Sequence, residues 1–229
     1  MVAHALRLNV DGIPISVRPE AFSLNGFRAW LTSDEFPSGM RATFYDGEVF
    51  LEMSPESLES HNKVKGAVSS RLYQIVVDEK LGESYQDGTL LTHTVANLST
   101  EPDFIFATWD AFRSGKLREV SKAGRADEFI ELEGTPELVV EVVSDSSVRK
   151  DTEVLRAAYA VAGIAEYWLI DARGDALRFE ILSLRSGGYA ALSAPDGPQH
   201  SGVLGRSFHL RRERNVRGRW TYELDVVRE

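Results

Sequence analysis

A segment with no polar side to turn toward water has few places to go in a folded chain. Leu138, Val139, Val140, Val142 and Val143 form such a run, and a β-branched stretch apolar on both faces suits a central strand covered on both sides. Ser144 to Lys150 (SDSSVRK) is too polar to extend it; serine and aspartate favour turns and helix starts. Val154, Leu155, Ala158, Tyr159 and Ala162 then recur at one-turn spacing until Gly163, which predicts an amphipathic helix over 151–162 with a glycine C-cap. Tyr167 to Ile170 make a second apolar strand that stops at Asp171. Strand, helix, strand at this spacing implies a parallel βαβ crossover.

Glu141 stands in the middle of the first strand. An ionised carboxylate there is costly unless it is paired, hydrogen-bonded or bound to a cation. Its partner is either a nearby Arg or Lys or a metal ion.

The chain has 229 residues, 43% of them hydrophobic, enough to bury one sizeable core. It lacks cysteine, which excludes disulfides and thiolate metal sites. No stretch of about 18 apolar residues and no secretory signal pattern occurs, so the expectation is a soluble, cytoplasmic protein with no membrane partner. The net charge of -9 argues against an unspecific nucleic-acid coat protein. The charge is uneven, however: Arg206, Arg211, Arg212, Arg214, Arg217 and Arg219 fall close together near the C-terminus. They read as a solvated strand-edge cluster, with a phosphate-contacting strip as the other reading.

Phe27, Trp30 and Leu31 predict a short N-terminal helix, and Ala42 to Met53 two strands turning at Asp46-Gly47 and ending at Ser54-Pro55. Leu58, His61, Val64, Val68, Leu72, Ile75 and Val76 mark a long amphipathic helix over 57–79 with His61 near its start. A lone histidine there is either a satisfied structural residue or a functional one. Tyr85 to Ala96 reads as strand with a loop, with a turn at Asp87-Gly88. Pro102 and the run Phe104 to Ala107 make a strand with Asp103 at its mouth. Residues 109–125 read as a surface loop or short helix, and 129–132 as an approach to the next strand. Residues 176–193 and 207–226 alternate as antiparallel strands, with turns at Gly187-Gly188 and Pro195-Asp196-Gly197-Pro198.

If the strands of Asp103 and Glu141 are neighbours, their carboxylates converge with Lys150 just beyond. Two facing carboxylates raise each other's pKa unless a divalent cation neutralises them, and hard oxygen donors without cysteine favour magnesium, manganese or calcium over zinc. Such a set suits phosphodiester hydrolysis.

PDFIF, TPELVVEVVSDSS and KDTEVLRAAYAVAGIAEYWLID, preceded by a His-bearing helix after MSPES, resemble the Uma-type restriction endonuclease family of the PD-(D/E)XK nuclease superfamily, over about residues 40 to 210. The resemblance implies an α/β (α+β) fold of restriction-endonuclease type: a mixed central sheet flanked by helices, with additional antiparallel strands at both ends. Residues 1–40 would then be an N-terminal extension with a short helix, and 41–229 the nuclease-like domain. It further implies Mg2+ (or Mn2+) as cofactor, DNA as substrate and a homodimer. Asp103 and Glu141 would be the metal-binding acids, the carbonyl of Val142 a further ligand, and His61 the histidine of the first long helix.

One position departs from the family pattern. The lysine expected four residues after Asp151 is Leu155 here, and the strand position two after Glu141 is Val143. Lys150 and Arg156 are the nearby substitutes, Lys150 having the flexible stem. The reading is a metal-dependent endonuclease using Asp103, Glu141, Lys150 and His61. The alternatives are a catalytically degenerate relative that binds nucleic acid or protein, and an enzyme acting on a small phosphorylated molecule.

Overall fold

The computed structural model describes residues 6–10, 13–37, 39–52, 56–191 and 197–227. The first elements are β1 (Leu6–Val10), β2 (Ile13–Val17), α1 (Leu24–Leu31), β3 (Arg41–Tyr45), β4 (Glu48–Glu52) and α2 (Lys63–Asp78). Next come β5 (Gly82–Gln86), β6 (Leu90–His93), β7 (Leu98–Thr100), β8 (Phe104–Thr108), α3 (Trp109–Arg113), β9 (Leu117–Lys122) and β10 (Arg125–Gly134). The chain continues through β11 (Leu138–Val142), α4 (Arg156–Val161), β12 (Glu166–Asp171), β13 (Arg178–Arg185) and β14 (Gly188–Ala191), and closes with β15 (Gln199–Ser201), β16 (Arg206–Arg214) and β17 (Trp220–Val227).

The central sheet has six strands in the order β14-β13-β12-β11-β8-β5. Only β11 and β12 run parallel, Glu141 lying opposite Leu169, and the remaining pairs are antiparallel. The apolar run is thus the middle of a mixed sheet, joined to β12 by the expected crossover. The fold is α+β of restriction-endonuclease type.

Alternation along β11 sorts its side chains between two cores. Leu138, Val140 and Val142 pack with Val64, Val68, Leu72 and Ile75 of α2 and with Phe208, Leu210 and Leu224 of the small sheet β15-β16-β17. Val139 and Val143 face the other way, toward Leu155, Ala158 and Tyr159 and toward Leu91, Leu98 and Leu132 of a second six-stranded sheet, β4-β3-β7-β6-β10-β9. Glu141 belongs to this second side. Ile15, Val17, Phe27 and Trp30 form a third cluster on Ala42 and Phe44 of β3.

Local chemistry ends the elements where the sequence implies. Asp46 and Gly47 have φ of 45° and 87°, both left-handed, as a two-residue hairpin turn requires. Gly163, at φ 73°, caps α4: its N–H donates to the Ala160 carbonyl and that of Ile164 to the Tyr159 carbonyl, closing the helix end. Both helices beside the acids open with a π-wound turn, Leu58–Asn62 before α2 and Lys150–Leu155 before α4. The Asn62 N–H reaches five residues back to the Ser57 carbonyl at 2.9 Å.

One stretch differs from its sequence reading. Residues 109–125 hold α3 and then β9, a strand paired with β10 at a sheet edge; LREVSK reads as polar because most of its side chains face solvent. The hairpin end at Ser54-Pro55 and the first half of the turn at Pro195-Asp196 lie outside the described residues. No helix among the described residues is long and apolar enough to cross a membrane.

Candidate active site

The antiparallel pairing of β8 with β11 places Asp103 beside the end of the apolar strand, where its Oδ2 accepts the Val142 N–H at 2.7 Å. The Val142 contribution visible here is therefore its amide. His61 is buried at the start of the α2 segment, its Nε2 3.7 Å from Asp103 Oδ2 and its Nδ1 3.1 Å from Glu56 Oε2, the latter outside hydrogen-bond geometry. Ligand atoms of Glu56, His61 and Asp103 all lie within 4.8 Å of one another.

Two cations enclose this group. Lys65, one turn after His61, donates to Glu56 at 2.6 Å and Asp87 at 3.1 Å and stands 3.6 Å from Asp103. Arg41 of β3 reaches Glu56 at 2.8 Å, Asp87 at 2.5 Å and Asp103 at 3.9 Å. Burial works against the charge of Lys65, yet the bond to Glu56 and the field of Asp103 hold its pKa above the ordinary value. Burial pushes Asp103 up, with His61, Lys65 and the Val142 amide pulling back.

A second group lies on the α4 side of the strand. Glu141 Oε1 accepts the Tyr159 hydroxyl at 2.6 Å, and burial followed by the charge of Asp151 drives its pKa well up. Asp151 is 1% exposed; Ser147 donates to its Oδ2, while its Oδ1 has no hydrogen-bond partner. Burial pushes Asp151 up to about 7 despite Lys150. Lys150 reaches Glu52 at 2.5 Å and Asp151 Oδ1 at 3.5 Å. Its burial is more than offset by Asp151, Glu141 and Glu52, so it stays cationic.

Lys150 thus turns back toward the acids, whereas Arg156 donates to the Tyr189 carbonyl at 2.9 Å. Leu155 is fully buried in the apolar core. A cavity of about 520 Å³ opens beside these residues, lined by Arg41, Glu56 and His61 of the first group, by Glu52, the partner of Lys150, and by Ser144 to Ser146 among others. Glu52, Glu56, Arg41, Lys65 and Asp87 were not singled out by sequence reasoning. His61 and Lys65, four residues apart on one helix, share a face, and that spacing is the signal that would have found Lys65.

The model of the Uma2 family, described as "Putative restriction endonuclease", matches residues 25–211. The chain belongs to the Uma2 family. Its fold is shared by a solved structure described as "a putative nuclease belonging to DUF820", from Anabaena variabilis, 14% identical over 80% of this chain and 90% of that one, with a TM-score of 0.58. No curated protein matches significantly. Membership of Uma2 supports nuclease function.

Proposed function

We propose that the chain is a divalent-metal-dependent endonuclease that hydrolyses DNA phosphodiester bonds, using Asp103 and Glu141 as metal-binding acids and Lys150 as the cation. The observation that carries this reading is that three buried carboxylates, Asp103, Glu141 and Asp151, lie in one another's electrostatic field with Lys150, while Asp103 also brings its oxygen within 4.8 Å of ligand atoms of Glu56 and His61 beside a polar cavity lined by Glu52, Glu56 and His61. The donors fit Mg2+ or Mn2+: the carboxylate oxygens of Asp103 and Glu141 are hard ligands, burial raises the pKa of both, and the neighbouring Asp151 Oδ1 has no hydrogen-bond partner.

Asp103 and Glu141 would hold such an ion, which would supply charge neutralisation and Lewis acidity toward water and phosphate. Tyr159 holds the Glu141 carboxylate in one orientation. Lys150, held cationic by Asp151, Glu141 and Glu52, stabilises the extra negative charge of the pentavalent phosphate. His61 positions Asp103 from the α2 side. Cutting both strands of a duplex requires two such sites, which a homodimer supplies.

A second reading, a non-cleaving nucleic-acid-binding or protein-interaction module, has its own support: Leu155 replaces the family lysine, and Arg41 and Lys65 already neutralise Asp103 and Glu56. Plasmid nicking in Mg2+ or Mn2+ decides between them. Cleavage lost in Asp103→Ala, Glu141→Ala and Lys150→Ala supports the enzyme; wild type cutting no better than these variants, across metals and substrates, refutes it.

A further inference from the structure

The six C-terminal arginines do not act alike. Arg206 pairs with Glu79, and Arg211 with Glu223 and Asp225. Arg212 donates to the carbonyls of Ala172, Gly174 and Asp175, and Arg214 to that of Gly218 at 3.0 Å. Arg212 and Arg214 also stack on the Trp220 ring, 4.3 Å and 3.5 Å from its centre. These four are engaged within the fold. Arg217 and Arg219, at the tip of the β16–β17 hairpin, are exposed, and among the described residues neither guanidinium makes a hydrogen bond or ion pair.

The tip is nevertheless cross-linked by hydrogen bonds. Asn215 Oδ1 accepts the backbone N–H groups of both Arg217 (2.9 Å) and Arg219 (3.1 Å), and the Asn215 N–H donates to the Arg219 carbonyl at 2.8 Å. Two unpaired cations are thus held on a preformed loop, which lowers the entropy lost on binding. The loop is also fixed to the candidate active site: the Trp220 N–H donates to Glu59 Oε2 at 2.8 Å, and Lys63 Nζ donates to the Trp220 carbonyl at 2.8 Å. Glu59 lies in the turn that carries His61. That turn separates two cavities, the catalytic one lined by Ser57, Ser60 and His61 and one of about 310 Å³ lined by Leu58, Glu59, Lys63, Asn215, Arg217 and Arg219. Glu59 is the one carboxylate in this second lining. Lys63, at 2.6 Å, the Trp220 amide and the charge of Arg219 hold its pKa low, and its two oxygens accept from Lys63 and from the Trp220 N–H.

We propose that the β16–β17 tip, through Arg217 and Arg219 with Lys63 beneath, grips the phosphate backbone of the nucleic acid entering the acid cluster. This rests on the nuclease reading above and adds the surface that holds the substrate in place. Exposed, unpaired guanidiniums suit phosphate oxygens, and their location supplies a local cationic shelf in a chain of net charge -9.

The test uses a short fluorescein-labelled DNA duplex of mixed sequence, titrated in EDTA over a series of salt concentrations so that binding is read without cleavage. Replacing Arg217 and Arg219 together by alanine removes two phosphate contacts. The log–log salt slope then falls by about two, and affinity at physiological salt by roughly thirtyfold. Arg211→Ala, whose guanidinium is already paired, leaves the slope unchanged, and Arg217→Lys with Arg219→Lys retains it. An unchanged thermal melt secures the fold of the double variant. In Mg2+ the same double variant raises KM and keeps kcat. Wild-type slope and affinity in the alanine variant overturn the grip while leaving the nuclease reading intact. No binding by the wild type overturns both. Salt-dependent binding that the alanine variant weakens, with no metal-dependent cleavage, upholds the grip and removes only the enzyme.

Discussion

Replacing Asp151 by asparagine should flatten the pH dependence of folding stability. In the folded chain this carboxyl holds its proton up to about 7, because burial and the charge of Glu52 outweigh the opposing pull of Lys150 and Ser147, compared with 3.8 for the free group. Between those values the folded state binds more protons than the unfolded one, so stability falls as pH rises. The favourable contribution is complete below the unfolded pKa and gone once pH passes the folded one. From pH 5 to pH 8 it amounts to roughly 3 kcal/mol for this residue alone. Asparagine has nearly the same volume and still accepts from Ser147, but cannot ionise. Urea unfolding of wild type and Asp151→Asn in EDTA at both pH values gives the double difference, with an unchanged m-value confirming that the unfolding transition exposes the same surface. A wild-type decline over this range that the variant reproduces in full would refute the reasoning.

Other outcomes follow from the same geometry. Adding Mg2+ or Mn2+ should raise the melting temperature at pH 8 more than at pH 5, where protonated acids bind metal poorly, and Asp103→Ala should abolish the rise; differential scanning fluorimetry reads it. Tyr159→Phe deletes the 2.6 Å bond to Glu141 and should cost about 2 kcal/mol in denaturant unfolding. Lys150→Met should abolish nicking. Because Leu155 lies one helical turn before Tyr159, adding Leu155→Lys to that variant should restore cleavage in part. Phe208→Ala, which empties the space against Trp168, should cost about 4 kcal/mol without altering the site's metal response.

Legibility in the sequence followed the contrast between a residue and its neighbours. Glu141 stood out because its strand is otherwise apolar, Asp103 because it precedes PDFIF's hydrophobic run, and the crossover because β-branched runs flank a helical period. Lys65 is marked only by its one-turn offset from His61, and Arg41, Glu52 and Glu56 have no spacing that distinguishes them from the polar positions of an ordinary strand or loop. What makes them part of the site is long-range ion pairing, of Arg41 and Lys65 with Glu56 and Asp87 and of Glu52 with Lys150, which has no sequence period. The arginines near the C-terminus show the same limit: their clustering was visible, but which four the fold engages and which two it leaves outside depends on Trp220, Glu79 and Asp225.

The two wide turns at Leu58–Asn62 and Lys150–Leu155 carry one further meaning. A π-wound turn holds one residue more than an α turn between the same flanks, so each amounts to a single-residue insertion in an otherwise regular helix. A chain shortened by one residue in either turn regains ordinary winding and keeps its core, because Val64 to Val76 and Ala158 to Ala162 stay where they are. Each residue of an α-helix advances about 100°, so what changes is the direction in which His61 or Asp151 points. Length variation at these two places therefore separates inheritance of the scaffold from inheritance of its chemistry.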